Sequence, residues 1–154
     1  MNFGERKDPF HLERFVKAQE GIYGNALYEL QAGQKRSHWM WFIFPQIDGL
    51  ARSSTAAYYA IKSLDEAKAY LEHPILGSRL EECSRTLLGL ERLSTSDIFG
   101  YPDDLKFCSS MTLFDRAASQ NDLFAKAIIR YCAGQRDQKT LAILNAKTTD
   151  WATW

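Results

Sequence analysis

A chain of 154 residues has the length of one ordinary domain, and about two-thirds of its unfolded surface can be buried at that size. Hydrophobic residues make up 45% and aromatics 13%, which excludes an intrinsically disordered chain and supplies enough apolar material for a core. Nineteen Lys plus Arg balance nineteen Asp plus Glu, so no global field draws the protein to a nucleic acid or an anionic membrane, and neither partner is expected.

Asp8 before Pro9 is a helix-start signal, and Phe10, Leu12, Phe15 and Val16 then fall near helical spacing, so residues 9 to 19 read as an amphipathic helix ended by Gly21. A second helix is expected over residues 24 to 32, with Ala26, Leu27 and Leu30 inward and Gly33 as its stop. The segment KRSHWMWFIFPQI, residues 35 to 47, is apolar over too short a run for periodicity to separate a strand from a helical turn. Ser37 can cap a short helix there, and Pro45 forces Phe44 out of helical geometry. Residues 48 to 54 read as a loop.

Ser63 and Glu66 match a capping box, opening a helix from Leu64 to about Glu72 that Pro74 interrupts. Leu76, Leu80, Cys83, Leu87 and Leu90 then share one helical face. Ser94 or Ser96 starts a short turn, and residues 100 to 104 read as a loop. A helix is expected from Ser109 or Ser110 onward, and another over residues 121 to 132, with Leu123, Phe124, Ala127, Ile128 and Tyr131 inward and Gly134 as its stop. One more turn fits residues 137 to 145, with Asp137 as its cap, and the remaining tail is expected to be mobile unless its tryptophans dock. The fold class is therefore mainly α, a single compact domain over residues 1–154 with its ordered core at about 8–145 and little or no β-structure.

Cys83, Cys108 and Cys132 are widely spaced with no CxxC pair, and reduced thiols in a cytosol are the simplest reading. The N-terminal segment lacks an apolar signal core and no run approaches the roughly eighteen apolar residues of a membrane helix, so a soluble cytoplasmic protein is expected. The sequence leaves the oligomeric state open. Glycine-rich phosphate loops, HExxH and GxSxG are all missing, and His11, His38 and His73 are scattered, so neither a metal nor a cofactor is expected.

Two clusters combine residue types that bind ligands. Lys35, Arg36, His38, Trp39 and Trp41 set cations, which pair with phosphate, beside indole faces, which stack on flat rings. The alternative makes Trp39, Trp41, Phe42 and Phe44 core and the two cations solvated charges. In DDLKFCSSM, residues 103 to 111, Asp103 and Asp104 read as loop carboxylates, with Lys106 close by and Ser109 and Ser110 at a helix start, where open amides favour an anion. The alternative makes these a turn residue, a surface charge and an ordinary cap.

The stretches AQEGIYGNALYELQAGQKRSHWMWFIFPQIDGLARS, YYAIKSLDEAKAYLEHPILGSRLEEC and IFGYPDDLKFCSSMTLFDRA closely resemble an uncharacterised bacterial family of unknown function whose members are often labelled "calpastatin". That label fails physically, because calpastatin is a disordered, charge-rich inhibitor and this chain has the material for a core. A fainter resemblance is to the YbiA-like NADAR superfamily, mainly helical proteins that cleave N-glycosidic bonds of ADP-ribose-like or ribosyl-amine substrates. Ser54, Tyr58, Tyr59, Lys62, Gly77, Arg79, Lys106 and Met111 follow that pattern in order, while Ala56 stands where the superfamily carries its catalytic glutamate.

The resemblance implies a nucleotide-like small-molecule ligand and makes Tyr59 a binding residue. Cleavage through an oxocarbenium-like state needs a carboxylate near the ribose C1 and a donor to the leaving base. Asp104 would take the first role and His38 the second, with Lys106, Lys35 and Arg36 on phosphates, Trp39 or Trp41 on a ring, and Ser109 and Ser110 beside the anion. The competing expectation is a non-catalytic module that binds a ligand or a protein.

Overall fold

A computed structural model describes residues 7–152, with side chains described through residue 147. Local capping chemistry sets several of the helix starts. Asp8 accepts from the amides of Leu12 (2.7 Å) and Glu13 (2.9 Å), but His11 has left-handed φ (55°), so α1 spans Glu13–Gln19 and does not begin at Pro9. Gly21 and Gly33 both have positive φ, as helix stops do, and they bracket α2, Tyr23–Gln31, whose Ala26 and Leu30 are fully buried. A four-residue turn, α3 (Met40–Ile43), follows without a side-chain cap, because the Ser37 hydroxyl is bonded to Glu29 instead. Ser53 accepts from the Ala56 amide at 3.0 Å and starts α4, Ser54–Tyr59, inside a region whose first half alone reads as loop.

α5 spans Leu64–Glu72 and carries only half of the expected capping box. Ser63 accepts from the Glu66 amide (3.1 Å), but the Glu66 carboxylate turns to the Lys62 amide (2.8 Å) and the Arg14 guanidinium (2.7 Å). Arg14 is buried with all five of its N–H donors placed: on Tyr58, Phe10, His11 and Ala60 carbonyls and on Glu66. A buried cation satisfied in this way pins α1 to both sides of Tyr59 and to the start of α5.

α6, Leu76–Leu88, turns Leu76, Leu80, Cys83 and Leu87 into the core as their spacing requires. α7, Thr95–Phe99, has a complete capping box between Ser94 and Asp97. α8, Asp103–Ala117, begins about six residues earlier than the hydroxyl pair suggests, and lies at the centre of the fold packed by α5, α7, α9 and α10. Surrounded in this way, it is buried over most of its circumference past Lys106, from Phe107 to Phe114. α9 is Leu123–Tyr131, with the five expected residues inward, and α10 runs through Gln138–Ala152 from an Asp137 cap (Thr140 amide to Asp137 Oδ2, 3.0 Å). The C-terminal stretch is thus helical well past the single turn expected, and Trp154 lies outside the described residues.

Among the described residues there are ten helices and no strand. A lone parallel bridge joins Ile47 to Ile61, with the Asp48 amide on the Ile61 carbonyl and the Ile61 amide on Gln46, both 2.8 Å. One hydrophobic cluster runs from Leu12 to Leu144, so the chain is a single all-α domain. No helix among the described residues is long and apolar enough to cross a membrane. Cys108 and Cys132 form a disulfide across α8 and the end of α9, which corrects the expectation of three reduced thiols; Cys83 is free and buried. No spacing rule reports this pair, because tertiary packing alone brings residues 24 apart together.

Candidate functional site

The segment after α2 is shaped by one carboxylate. Glu29, in the last turn of α2, accepts from the amides of Arg36 (2.7 Å) and Ser37 (3.0 Å), from the Ser37 hydroxyl and from the Trp39 indole N–H (2.8 Å). Burial alone would raise its pKa. The hydrogen bonds from Ser37, Arg36 and Trp39 outweigh that and lower it to about 2. Lys35 is tied by its amide to the Ile98 carbonyl (2.7 Å), and its ammonium lies 2.9 Å from Asp103 and 5.1 Å from the Trp39 ring centre. Trp39 is fully buried against Phe44. The two indoles therefore part company: Trp39 is core and offers no stacking face, while Trp41 is half-buried and reaches a cleft. Arg36 and His38 are exposed on the loop, Arg36 bonded to Gln34 (3.0 Å), and neither borders the groove or the recess described below.

The two clusters do meet, through Asp103. Its carboxylate bridges Lys35 at 2.9 Å and Lys106 at 3.5 Å, and the Lys106 ammonium stands 5.5 Å from the Trp41 ring centre. Asp103 and Asp104 are not loop residues. They occupy the first turn of α8, where carboxylates complement the helix dipole and occupy the place an anion would take. Ser109 and Ser110 are buried in the interior of α8, so the anion site expected at a helix start there is absent. Ser109 bonds the Leu105 carbonyl (3.2 Å) and Asp137 (3.1 Å), and the Ser110 hydroxyl has no hydrogen-bond partner.

An open groove runs between the loop at 46–51, the start of α7, the exposed side of α8 and the connection from α9 to α10. Asp104, Lys106 and Ser109 line it, as do polar residues that the sequence left unmarked, among them Gln46, Arg136 and Lys139. Asp104 uses one oxygen on the Leu105 amide at 2.9 Å. Asp137 accepts from the Ser109 hydroxyl, the Thr140 amide and the Thr140 hydroxyl, all through Oδ2. Gln46 and Ala51 also line an adjoining recess with Trp41, Tyr59 and Ala56. At about 20 Å³ it has room for a single water and not for a base. Among the described residues no three His, Cys, Asp or Glu side chains gather as a metal-binding group.

The NADAR-like positions do not converge. Tyr59 and Ala56 line the recess and Lys106 the groove, but Tyr58 is exposed and Lys62 bonds the Ala57 carbonyl (2.8 Å). Gly77 serves packing, since a Cβ there would lie 2.0 Å from the Leu71 carbonyl oxygen. Arg79 bonds Gln19 (3.1 Å) and covers the Tyr23 ring, and Met111 is buried in the core. The sequence does not single out Glu29, and it marks Asp103 as a loop carboxylate and not as the bridge between Lys35 and Lys106. A carboxylate in the last turn of a helix opposes the dipole, and that misfit was the available signal for Glu29.

Residues 9–144 match a family described as "Protein of unknown function (DUF1810)". A crystal structure of the conserved hypothetical protein Rv1873 from Mycobacterium tuberculosis superposes with a TM-score of 0.88 at 51% identity, covering 90% of this chain and 99% of that one. No curated protein matches the chain.

Proposed function

The chain belongs to the DUF1810 family, a family of unknown function, and from that premise we propose that its groove binds a phosphate-bearing small molecule with an aromatic ring, of nucleotide or ADP-ribose type. The observation that carries this reading is the placement of Lys106. Its ammonium sits over the half-buried Trp41 ring where the recess opens toward the groove, so a cation and an aromatic face stand side by side. Lys139 adds positive charge along the same groove, next to an Arg136 that is paired with Asp115 at 2.8 Å. The recess is too small for a base, so a ligand ring would lie across its mouth.

Binding is favoured over hydrolysis of an N-glycosidic bond. The apolar Ala56 lines the recess, His38 lies off the groove, Asp137 has one oxygen held by three donors, and Asp104, bonded through one oxygen to the Leu105 amide, keeps capacity for a ribose. A cytoplasmic setting, where such ligands are abundant, belongs to this proposal and not to the structural findings. Calorimetry against ADP-ribose, NAD and AMP, paired with chromatography of the products, tests it. Saturable binding without product supports the binding module, and product lost on Asp104→Asn supports the hydrolase. Absence of binding to all three overturns both. A protein partner is then the second reading, favoured by the exposed Tyr101 and Leu105 at the start of α8.

A further inference from the structure

We propose that Cys108 and Cys132 form a reversible dithiol–disulfide centre that exchanges with small thiols entering the groove. Both half-cystines line that groove, so an attacking sulfur can approach them from the open side. Cys83 provides the internal contrast, since it is buried and its thiol is pushed up to about 12, chiefly by that burial.

Reversibility requires that the two walls stay together once the bond is open, and non-covalent links already hold them. The segment directly after Cys132 is fastened to α8 by the Asp137 amide on the Thr112 hydroxyl (2.9 Å), by the Ser109 hydroxyl on Asp137 (3.1 Å), and by Arg136 on Asp115 (2.8 Å). The Gly134 amide on the Ile128 carbonyl (3.0 Å) keeps the end of α9 closed, and the Phe107 and Tyr131 rings meet edge to face. A reduced Cys108 also has an acceptor waiting, the Tyr131 carbonyl oxygen at 3.9 Å from its sulfur.

The exchange is balanced by two equivalents of a low-molecular-weight thiol, or one dithiol. A thiolate attacks one protein sulfur and breaks the S–S bond, and the displaced sulfur leaves with the electron pair and takes a proton. A second thiolate attacks the outer sulfur of the mixed disulfide, releasing the oxidised small molecule and the second cysteine thiol. Two electrons pass to the protein, and an oxidised thiol of the same class reverses the reaction. None of this depends on which ligand occupies the groove.

The test is to treat the oxidised full chain with dithiothreitol without denaturant, alkylate it with iodoacetamide, and map the label by mass. The expected result is label on Cys108 and Cys132 with Cys83 bare, an unchanged helical dichroism spectrum, and loss of both labels when oxidised glutathione is applied before alkylation. The Cys108→Ser, Cys132→Ser double variant should keep the same spectrum without the bond. Labelling only after denaturant, simultaneous labelling of Cys83, or failure of glutathione disulfide to restore the bond would each overturn the proposal.

Discussion

The Asp103 carboxylate stands 2.9 Å from the Lys35 ammonium, and it is this contact that joins the segment after α2 to the head of α8. The Lys35 side chain is only 8% exposed, so removing its partner leaves a poorly hydrated charge with little beyond the Trp39 ring to stabilise it. Breaking a fully buried pair costs about 3–5 kcal/mol, and the partial exposure of Asp103 reduces that. Asp103→Ala should therefore lose about 2 kcal/mol in urea unfolding. A Lys35→Met, Asp103→Leu double variant should lose clearly less than the two single losses combined, because neither charge is then stranded.

Glu29 makes a pH prediction with a definite sign. Its carboxyl falls from an ordinary 4.5 to about 2 in the folded protein, so the folded state favours the ionised form. That contribution is present in full above pH 4.5 or so and is lost as pH falls toward 2. With each tenfold change in proton affinity worth about 1.4 kcal/mol, the contribution is roughly 2–3 kcal/mol. Urea midpoints measured across this window should fall with acid in the native protein. In Glu29→Gln that component of the slope should vanish, and the two stabilities should converge near pH 2.

These two residues also show where sequence reading stops. Periodic faces such as those of α6 and α9 are local, and the side chains they turn inward are those their spacing demands. Caps are local too, and Ser53, Ser63, Ser94 and Asp137 all receive the amide a cap should. What failed was long-range or ambiguous. A Ser109–Ser110 pair inside a buried helix looks the same in one dimension as a pair at its start, and past Lys106 the helices around α8 bury most of its circumference, so its hydroxyls do not mark an exposed side. Glu66 is spaced for a capping box but is recruited by Arg14, 52 residues away. Of the candidate site, Asp104, Lys106, Ser109, Trp41 and Tyr59 do border one groove and its recess, whereas Lys35, Trp39 and Ser110 are drawn into packing that composition does not reveal.

Gly77 tests the packing explanation for a motif that otherwise looks functional. A Cβ at this position would sit 2.0 Å from the Leu71 carbonyl oxygen, a backbone atom that cannot rotate aside. Gly77→Ala should push α5 and α6 apart and cost about 3 kcal/mol, at the upper end for overpacking. If the glycine instead served a ligand, its substitution would weaken binding with the thermal midpoint unchanged.

Lys106 and Trp41 carry the ligand prediction. The Lys106 side chain is about a quarter exposed and is shared with Asp103, so a phosphate would gain one charge-assisted contact and no more. Lys106→Ala should weaken ADP-ribose about tenfold in calorimetry, equivalent to about 1.4 kcal/mol, and the native affinity should fall as salt rises. Trp41→Ala removes the ring beside that cation and should weaken binding by a comparable amount, with little salt dependence of the loss. His38→Ala and Arg36→Ala lie on the exposed loop and should leave affinity unchanged. The reverse pattern, loss in the loop variants with Lys106→Ala silent, would move the binding surface off the groove and onto the segment that Glu29 holds in place.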